Sequence, residues 1–267
     1  EREVNDATKE LRKSNNKLLE LDATKDEFVS MASHQLRTPL TSVKGYLSMV
    51  LEGDAGDLAP AQRELLKEAY TSSERMVHLI GDFLNMSRLQ TGRFVIERHP
   101  VDIARIIEQE VDSMKPIALS HDIKLTLKKP TRSPILYLDE NKIRQVVMNF
   151  IDNAIYYSPE GTPVDVVMEI EDGDVVLRVV DQGMGVPANV QKKLFTKFFR
   201  ASNARKQRPD GTGIGLYLAK RIIDGHQGKL VFESAVGKGS TFGFRLPIRQ
   251  LASPPESTGG ASKKNAP

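Results

Sequence analysis

The chain has 267 residues, room for one large domain or two modest ones. Lys and Arg total 38 against 35 Asp and Glu, a net charge of +3, too balanced for bulk charge to draw in nucleic acid. There is no cysteine, which excludes a disulfide framework and a thiolate metal site, and the 39% apolar content is enough to bury a core. No apolar run approaches the roughly 18 residues of a membrane helix, and no leader sequence is visible. The expected location is the cytoplasm. The first residue is Glu, so the chain reads as a piece of a longer one, with any sensor or membrane segment upstream.

Residues 1–32 are charged, with spaced apolar positions. With Val4 at heptad position a, Leu11, Leu18 and Ala32 follow at a, broken by Lys25, and Ala7, Ser14, Leu21 and Phe28 take d. The pattern reads as a short, imperfect coiled coil entering a bundle as a parallel dimer; the other reading is one solvated amphipathic helix. From about residue 26 to 51 a helical stripe runs through Phe28, Ala32, Leu36, Leu40, Val43, Leu47 and Val50. Turn-forming residues fill 52–60. A second helix follows over 60–90, with Leu65, Ala69, Met76, Ile80, Phe83 and Leu84 as its stripe. Two such helices make a hairpin with one face to hide, and two hairpins make a four-helix bundle.

Beyond Gly92 strand-like runs appear at 123–128, 134–138, 163–170, 174–181, 229–234 and 241–246. Helical patterns appear near 102–119, 140–157, 188–195 and 213–226. The mixture predicts an α+β sandwich with helices on one face of a sheet. The expected division is a coiled-coil signalling helix at 1–25, a helical hairpin domain at 26–92, an α+β domain at 93–250 and a disordered tail at 251–267.

Chemistry enters first at Phe28-Val-Ser-Met-Ala-Ser-His-Gln-Leu-Arg-Thr-Pro-Leu40. At about 100° per residue, His34 lies opposite the apolar stripe and faces solvent, with Thr38 one turn on. Pro39 frees the Gln35 carbonyl and should bend the helix there. An exposed imidazole is mostly neutral at pH 7 and offers a lone pair as nucleophile. His78, His99, His121 and His226 read as ordinary surface histidines.

The helix at 140–157 carries Asn149 and Asn153 four apart, on the flank of a face of Ile143, Val146, Val147, Phe150, Ile151 and Ala154. Two carboxamides on one ridge can offer oxygen to a hard cation or its waters; ordinary surface amides are the plain alternative. A β-run ends at Asp181 and opens into Gln-Gly-Met-Gly185, where a strand-end carboxylate can accept from an amino group and glycines admit a planar ligand. Asp210-Gly-Thr-Gly-Ile-Gly-Leu216 runs into a helical pattern, a phosphate-cradling arrangement. It is neither a Walker A loop nor a dinucleotide fingerprint. Between the two glycine motifs, a polar stretch with Phe195, Lys197, Phe198, Phe199 and Arg200 reads as a mobile lid whose cations reach phosphate.

Two sets of residues carry a family resemblance. His34-Gln-Leu-Arg-Thr-Pro-Leu40 resembles the phosphoacceptor box of sensor histidine kinases, H-E-L-R-T-P-L, departing from it only at Gln35. Asn-x3-Asn, D-x-G-x-G, the Phe-rich segment and G-x-G-x-G, in that order, resemble the successive asparagine, glycine, phenylalanine and second glycine boxes of the same family. Those boxes build the Bergerat ATP-binding fold shared with gyrase, Hsp90 and MutL. The resemblance covers about residues 26–247. It implies a dimeric four-helix bundle followed by a Bergerat-type α+β sandwich, with ATP and Mg2+ as cofactors. It further implies that Asn149 and Asn153 bind magnesium, Asp181 binds adenine, and Gly183 and Gly185 line the base. Gly211, Gly213 and Gly215 would hold phosphates, Arg200 with Lys197 would steady the γ-phosphate, and Thr241 would lie near adenine. The family often follows its second asparagine with Ala-x-Lys-Tyr; here the residues are Ala154-Ile155-Tyr156-Tyr157, so a phosphate-contacting lysine is missing.

The implied reaction is autophosphorylation of His34, transfer to an aspartate of a response regulator, and hydrolysis of the regulator's phosphate with Thr38 placing water. The family's acidic residue after the histidine orients the ring and takes its proton; Gln35 can accept a hydrogen bond but not a proton. Three alternatives stay open: a phosphatase-biased core, an ATPase that does not phosphorylate itself, and a non-catalytic dimeric scaffold.

Overall fold

The computed structural model describes residues 38–208 and 211–254, apart from 91–93, and isolated positions before 38; side chains at 74, 75, 78, 79 and 82–90 are not described. The heptad expected over 1–32 and His34 itself lie outside the described residues, as does the tail from 255. The chain divides into two compact units, Glu1–Val95 and Ile96–Pro267.

In the first unit, residues 38–52 are helical (α1) and the second helix is α2, Pro60–Gln90. Proline suits a first helical position because its missing N–H would have no partner there. Arg63 Nη1 donates to the Leu51 carbonyl at 3.0 Å, satisfying an orphan acceptor at the end of α1 and closing the hairpin. Gln35 and Thr38 are exposed, and Ser42 Oγ donates back to the Thr38 carbonyl at 3.3 Å. Part of the apolar stripe is uncovered in the single hairpin: Leu36, Val43, Leu65 and Met76 are exposed, and so are Tyr46 and Met49, which the stripe does not include.

The second unit is an α/β sandwich. Its elements are β1 (His99–Asp102), α3 (Ile103–Ser120), β2 (Lys124–Lys128), β3 (Ile135–Leu138), α4 (Glu140–Tyr157), β4 (Pro163–Glu171) and β5 (Asp174–Val180). They continue with α5 (Ala188–Gln191), α6 (Ser202–Gln207), α7 (Gly215–Gly225), β6 (Lys229–Ser234), β7 (Ser240–Pro247) and α8 (Ile248–Leu251). The main sheet has the order β2-β4-β5-β7-β6, with β2 and β4 parallel and the other pairs antiparallel. β3 leaves this sheet and pairs instead with β1, a short strand the sequence pattern does not signal. The helical pattern at 188–195 shrinks to the four residues of α5. Leu251, assigned to the tail above, is fully buried at the end of α8.

Alternation along the strands sets the core. Val164, Val166 and Met168 of β4 and Val175, Leu177 and Val179 of β5 are buried, against Ile143, Val146, Val147, Phe150 and Ile151 of α4. Each such side chain removed from water contributes about 1.5–3 kcal/mol. Phe150, Phe242, Phe232 and Phe195 form a chain of ring contacts from α4 through β7 and β6 into the loop after α5. On the other face, Arg178 and Arg245 converge on Glu171.

His226 is not a surface residue; it is fully buried at the end of α7. Its Nε2 accepts the backbone N–H of Asp139 at 2.9 Å, so Nδ1 carries the proton and donates to the Ile222 carbonyl at 2.8 Å. One neutral ring thus caps α7 and ties it to the start of α4. Asp139 caps α4 through the Lys142 N–H, and also accepts from the Glu97 N–H and Lys142 Nζ. Burial pushes the Asp139 carboxyl up, but these hydrogen bonds together hold it below its ordinary value. Burial, with the cations Arg98 and Lys142 nearby, holds His226 down at about 4 from 6.5, against the opposing pull of the Ile222 carbonyl and Asp139.

Between pH 6.5 and about 4 the unfolded chain binds the His226 proton and the native chain does not. This part of the stability is therefore complete above about pH 6.5 and is lost as pH falls toward 4, in total on the order of 3 kcal/mol. Urea unfolding across this range should show that slope, and His226→Leu should abolish it while lowering stability at pH 7.5 by about 1–3 kcal/mol.

Candidate active site

The apolar face of α4 turns inward and leaves Asn149 and Asn153 half-buried along its flank. Asn153 Nδ2 donates weakly to Asn149 Oδ1 at 3.4 Å. Asn149 Nδ2 is buried and has no hydrogen-bond partner, the one such side-chain atom among the described residues. A buried amide without a protein partner is costly in a native protein, so Asn149 calls for a partner from outside the chain such as water, an ion or a ligand. The first residue of α7 abuts this ridge: a Cβ at Gly215 would fall on Asn149 Oδ1. The sequence therefore brings the amino end of α7, which has no side-chain cap, directly against Asn149.

Asp181 follows the last residue of β5. The register pairs Val180 with Thr241, and the Asp181 N–H donates to the Ser240 carbonyl at 2.9 Å, so Thr241 sits beside the strand end. The Asp181 carboxylate is buried, and its Oδ1 accepts from the N–H groups of Gly183 at 2.8 Å and Ser240 at 3.0 Å. Burial pushes its pKa up while the two N–H donors oppose the rise. Both bonds fall on one oxygen, so Oδ2 keeps its acceptor capacity. Gly183 packs on the Tyr157 carbonyl and Gly185 on Ala235.

Residues 186–208 cross between these two walls. Asn203 Nδ2 donates to the Gly185 carbonyl at 3.1 Å, and Gln207 Nε2 to the Tyr156 carbonyl at 3.1 Å. Lys197 lies 5.4 Å from the ring of Tyr217 on α7. Phe198 is exposed and has φ +58°, a left-handed conformation that strains a bulky residue and is typically held at functional segments. Arg200 is engaged with its own segment: Nη1 donates to the Gly211 carbonyl at 2.8 Å, and Nη2 to those of Ala204 and Arg208. Gly213, at φ +70°, packs against the backbone of Phe198 and Phe199.

The structure thus gathers Asn149, Asn153, Asp181, Gly183, Gly185, Lys197, Arg200, Gly211, Gly213, Gly215 and Thr241 in one unit. Gln35 and Thr38 lie on α1 in the other, and His34 is outside the described residues. Sequence reasoning overlooked Asn203, Arg208 with its partner Asp152, and the Ser240 N–H. Asn203 and Arg208 sit in a polar run without periodicity, and a backbone donor leaves no signal in residue type.

Comparison with known proteins assigns both stretches of the chain to domain families. Residues 24–92 match the His Kinase A (phospho-acceptor) domain, and residues 138–250 match the histidine kinase-, DNA gyrase B-, and HSP90-like ATPase domain. The chain is 34% identical over 240 residues to the circadian input-output histidine kinase CikA of Synechococcus elongatus, covering 88% of this chain and 31% of that protein. It is 33% identical over 234 residues to the sensor histidine kinase WalK of Bacillus subtilis, covering 86% and 38%. The crystal structure of full-length ShkA in complex with AMPPNP aligns with a TM-score of 0.64 at 27% identity, covering 83% of this chain and 45% of that one. The chain spans about a third of the length of the two curated relatives. With a phospho-acceptor hairpin followed by an ATPase-type sandwich in the same order as these relatives, the chain belongs to the sensor histidine kinases and has the architecture of their catalytic core.

Proposed function

We propose that this chain binds ATP with Mg2+ between the asparagine ridge of α4 and the amino end of α7, transfers the γ-phosphate to His34, and passes it to an aspartate of a response regulator. The observation that carries the reading is the seating of Gly215 on Asn149, which joins uncapped helix N–H groups to two carboxamides. In this reading Asp181 accepts from the adenine amino group through its open oxygen. Gly183, Gly185 and Thr241 border the base, Gly211, Gly213 and Gly215 bind phosphates, and Lys197 and Arg200 supply lid cations.

The unpartnered Asn149 amide fits a magnesium site, because a carboxamide can turn its oxygen outward and Mg2+ takes few protein oxygens beside phosphate and water. Mg2+ held there by Asn149 and Asn153 would neutralise charge on the phosphate oxygens. The imidazole lone pair of His34 forms the N–P bond as the bond from the γ-phosphorus to its bridging oxygen breaks, and ADP leaves with that electron pair. Neutral His34 attacks through its unprotonated nitrogen, and the proton on its other nitrogen must then pass to water, because Gln35 can orient the ring but cannot accept that proton; the step is therefore slow. In the second transfer the N–P bond breaks as a carboxylate oxygen of the regulator bonds to phosphorus. Thr38, one turn from His34, would place water for hydrolysis of the resulting acyl phosphate.

The uncovered face of the hairpin supports a homodimer through a four-helix bundle, since an apolar stripe of this kind needs a partner surface. Glutamine in place of an acidic residue after His34 also favours a second reading, a core whose phosphatase activity exceeds its kinase activity.

Radiolabelled ATP and Mg2+ should label the chain with a phosphate lost in acid and retained in base. His34→Ala should remove the label, and Gln35→Glu should label several-fold faster. Label on His34→Ala, or none on the native chain, would refute the reading. A receiver domain that gains no label would confine the claim to autophosphorylation. In a helix, Gly→Ala is ordinarily worth up to about 1 kcal/mol of added stability. Gly215→Ala should instead lose most of that gain in urea unfolding, because the new methyl must turn the Asn149 carboxamide aside at a cost of about 1 kcal/mol. In an Asn149→Ala background most of that cost should vanish.

A further inference from the structure

Tyr156 stands where the family resemblance would place a lysine, and it is the centre of a set of contacts to the 186–208 segment. Asp152 and Tyr156 are one turn apart on α4 and form a notch. Arg208 fills it: Nη1 lies 2.7 Å from Asp152 Oδ2, and Cζ lies 4.5 Å from the centre of the Tyr156 ring. Gln207, the residue before, donates to the Tyr156 carbonyl. The next residue on α4, Tyr157, hydrogen-bonds with Arg200. Arg200 in turn holds the carbonyls of Arg208, Ala204 and Gly211. A continuous path therefore runs from α4 through Arg208 and Arg200 to the glycine turn that opens α7.

We infer that Arg208 is a positioning residue: seated on Asp152 and the Tyr156 ring, it latches the 186–208 segment onto α4 and so sets Arg200 and the Gly211–Gly215 turn before nucleotide arrives. This rests on that turn being the phosphate site proposed above. The Asp152 and Arg208 side chains are 38% and 26% exposed, so their ion pair alone contributes little. The latch depends on the aromatic face, which attracts a guanidinium, working together with the ion pair and the Gln207 hydrogen bond. A lysine at 156 would set two cations against each other. The tyrosine makes α4 a seat for a lid cation in place of one of its own.

The test compares Arg208→Ala, Arg208→Lys, Tyr156→Phe, Tyr156→Lys and the charge swap Asp152→Arg with Arg208→Asp, all in the full chain. The first measurement is hydrogen exchange of the amides of Arg205 and Arg208, which bond within α6 to the Ala201 and Ala204 carbonyls, in nucleotide-free protein. Arg208→Ala and Tyr156→Lys should lower their protection about tenfold, Tyr156→Phe should not, and Arg208→Lys and the charge swap should recover part of it. The second measurement is autophosphorylation at varied ATP. The two disruptive variants should raise the KM for ATP several-fold with kcat at saturation close to native, because bound nucleotide supplies the closure. Unchanged protection overturns the latch. Lowered protection with an unchanged KM overturns the positioning role. Exchange requires no ATP, so a native chain that fails to bind ATP would end the proposed function while the exchange data still decide the latch.

Discussion

A helix end can press against a neighbouring helix's side chain this closely only where its own side chain is missing, and the second unit is arranged around one such approach. The amino end of α7 reaches the flank of α4 because residue 215 has no Cβ, and Asn149 occupies the space one would fill. The consequences spread outward. The uncapped N–H groups of α7 face a polar ridge rather than solvent, the glycine turn before α7 comes within reach of Arg200, and the segment carrying Arg200 must cross from the Asp181 loop to α4 to close the circuit. Charge and hydrogen bonding act on geometry that a missing methyl allows.

The opposite end of α7 is fixed just as firmly, by His226. Its ring takes an N–H from the start of α4 and gives its own to the last turn of α7. The α4–α7 pair is thus pinned at one end by a buried imidazole and opened at the other by a glycine contact. The pinned end tolerates no rearrangement without leaving buried donors and acceptors unmatched. The open end holds an amide nitrogen with no protein partner. That difference places the capacity to respond to a ligand at one end of the helix pair.

Much of this was legible in the sequence, for reasons that differ by element. α2, α3, α4 and α7 and the strands of the main sheet follow from periodicity, because one-sided burial imposes period 3.6 or 2 on residue type. The asparagine pair and the glycine motifs were legible because backbone approach and helix-end chemistry restrict residue choice. β1 was not: four residues beginning His99-Pro100 carry no alternation, and the strand exists because β3 offers it an edge. His226 was misread as a surface residue although it continues the buried face of Leu218, Ala219, Ile222 and Ile223 at helical spacing; a polar ring there needs a partner, and that partner, the Asp139 N–H, is 87 positions away. The seat for Arg208 was half legible. Tyr156 stood out as a departure, but only coordinates supply the arginine that answers it.

The five-stranded sheet ends in β2 and β6, and each outer strand would be open to pairing with another chain. β2 carries exposed Lys124 and Lys128, and β6 begins with exposed Lys229. Cations spaced along a short border repel a like border and discourage sheet-to-sheet growth. With Leu36, Val43 and Leu65 exposed on the hairpin, a second adhesive surface along the strands would add to unspecific association, and the lysines reduce it.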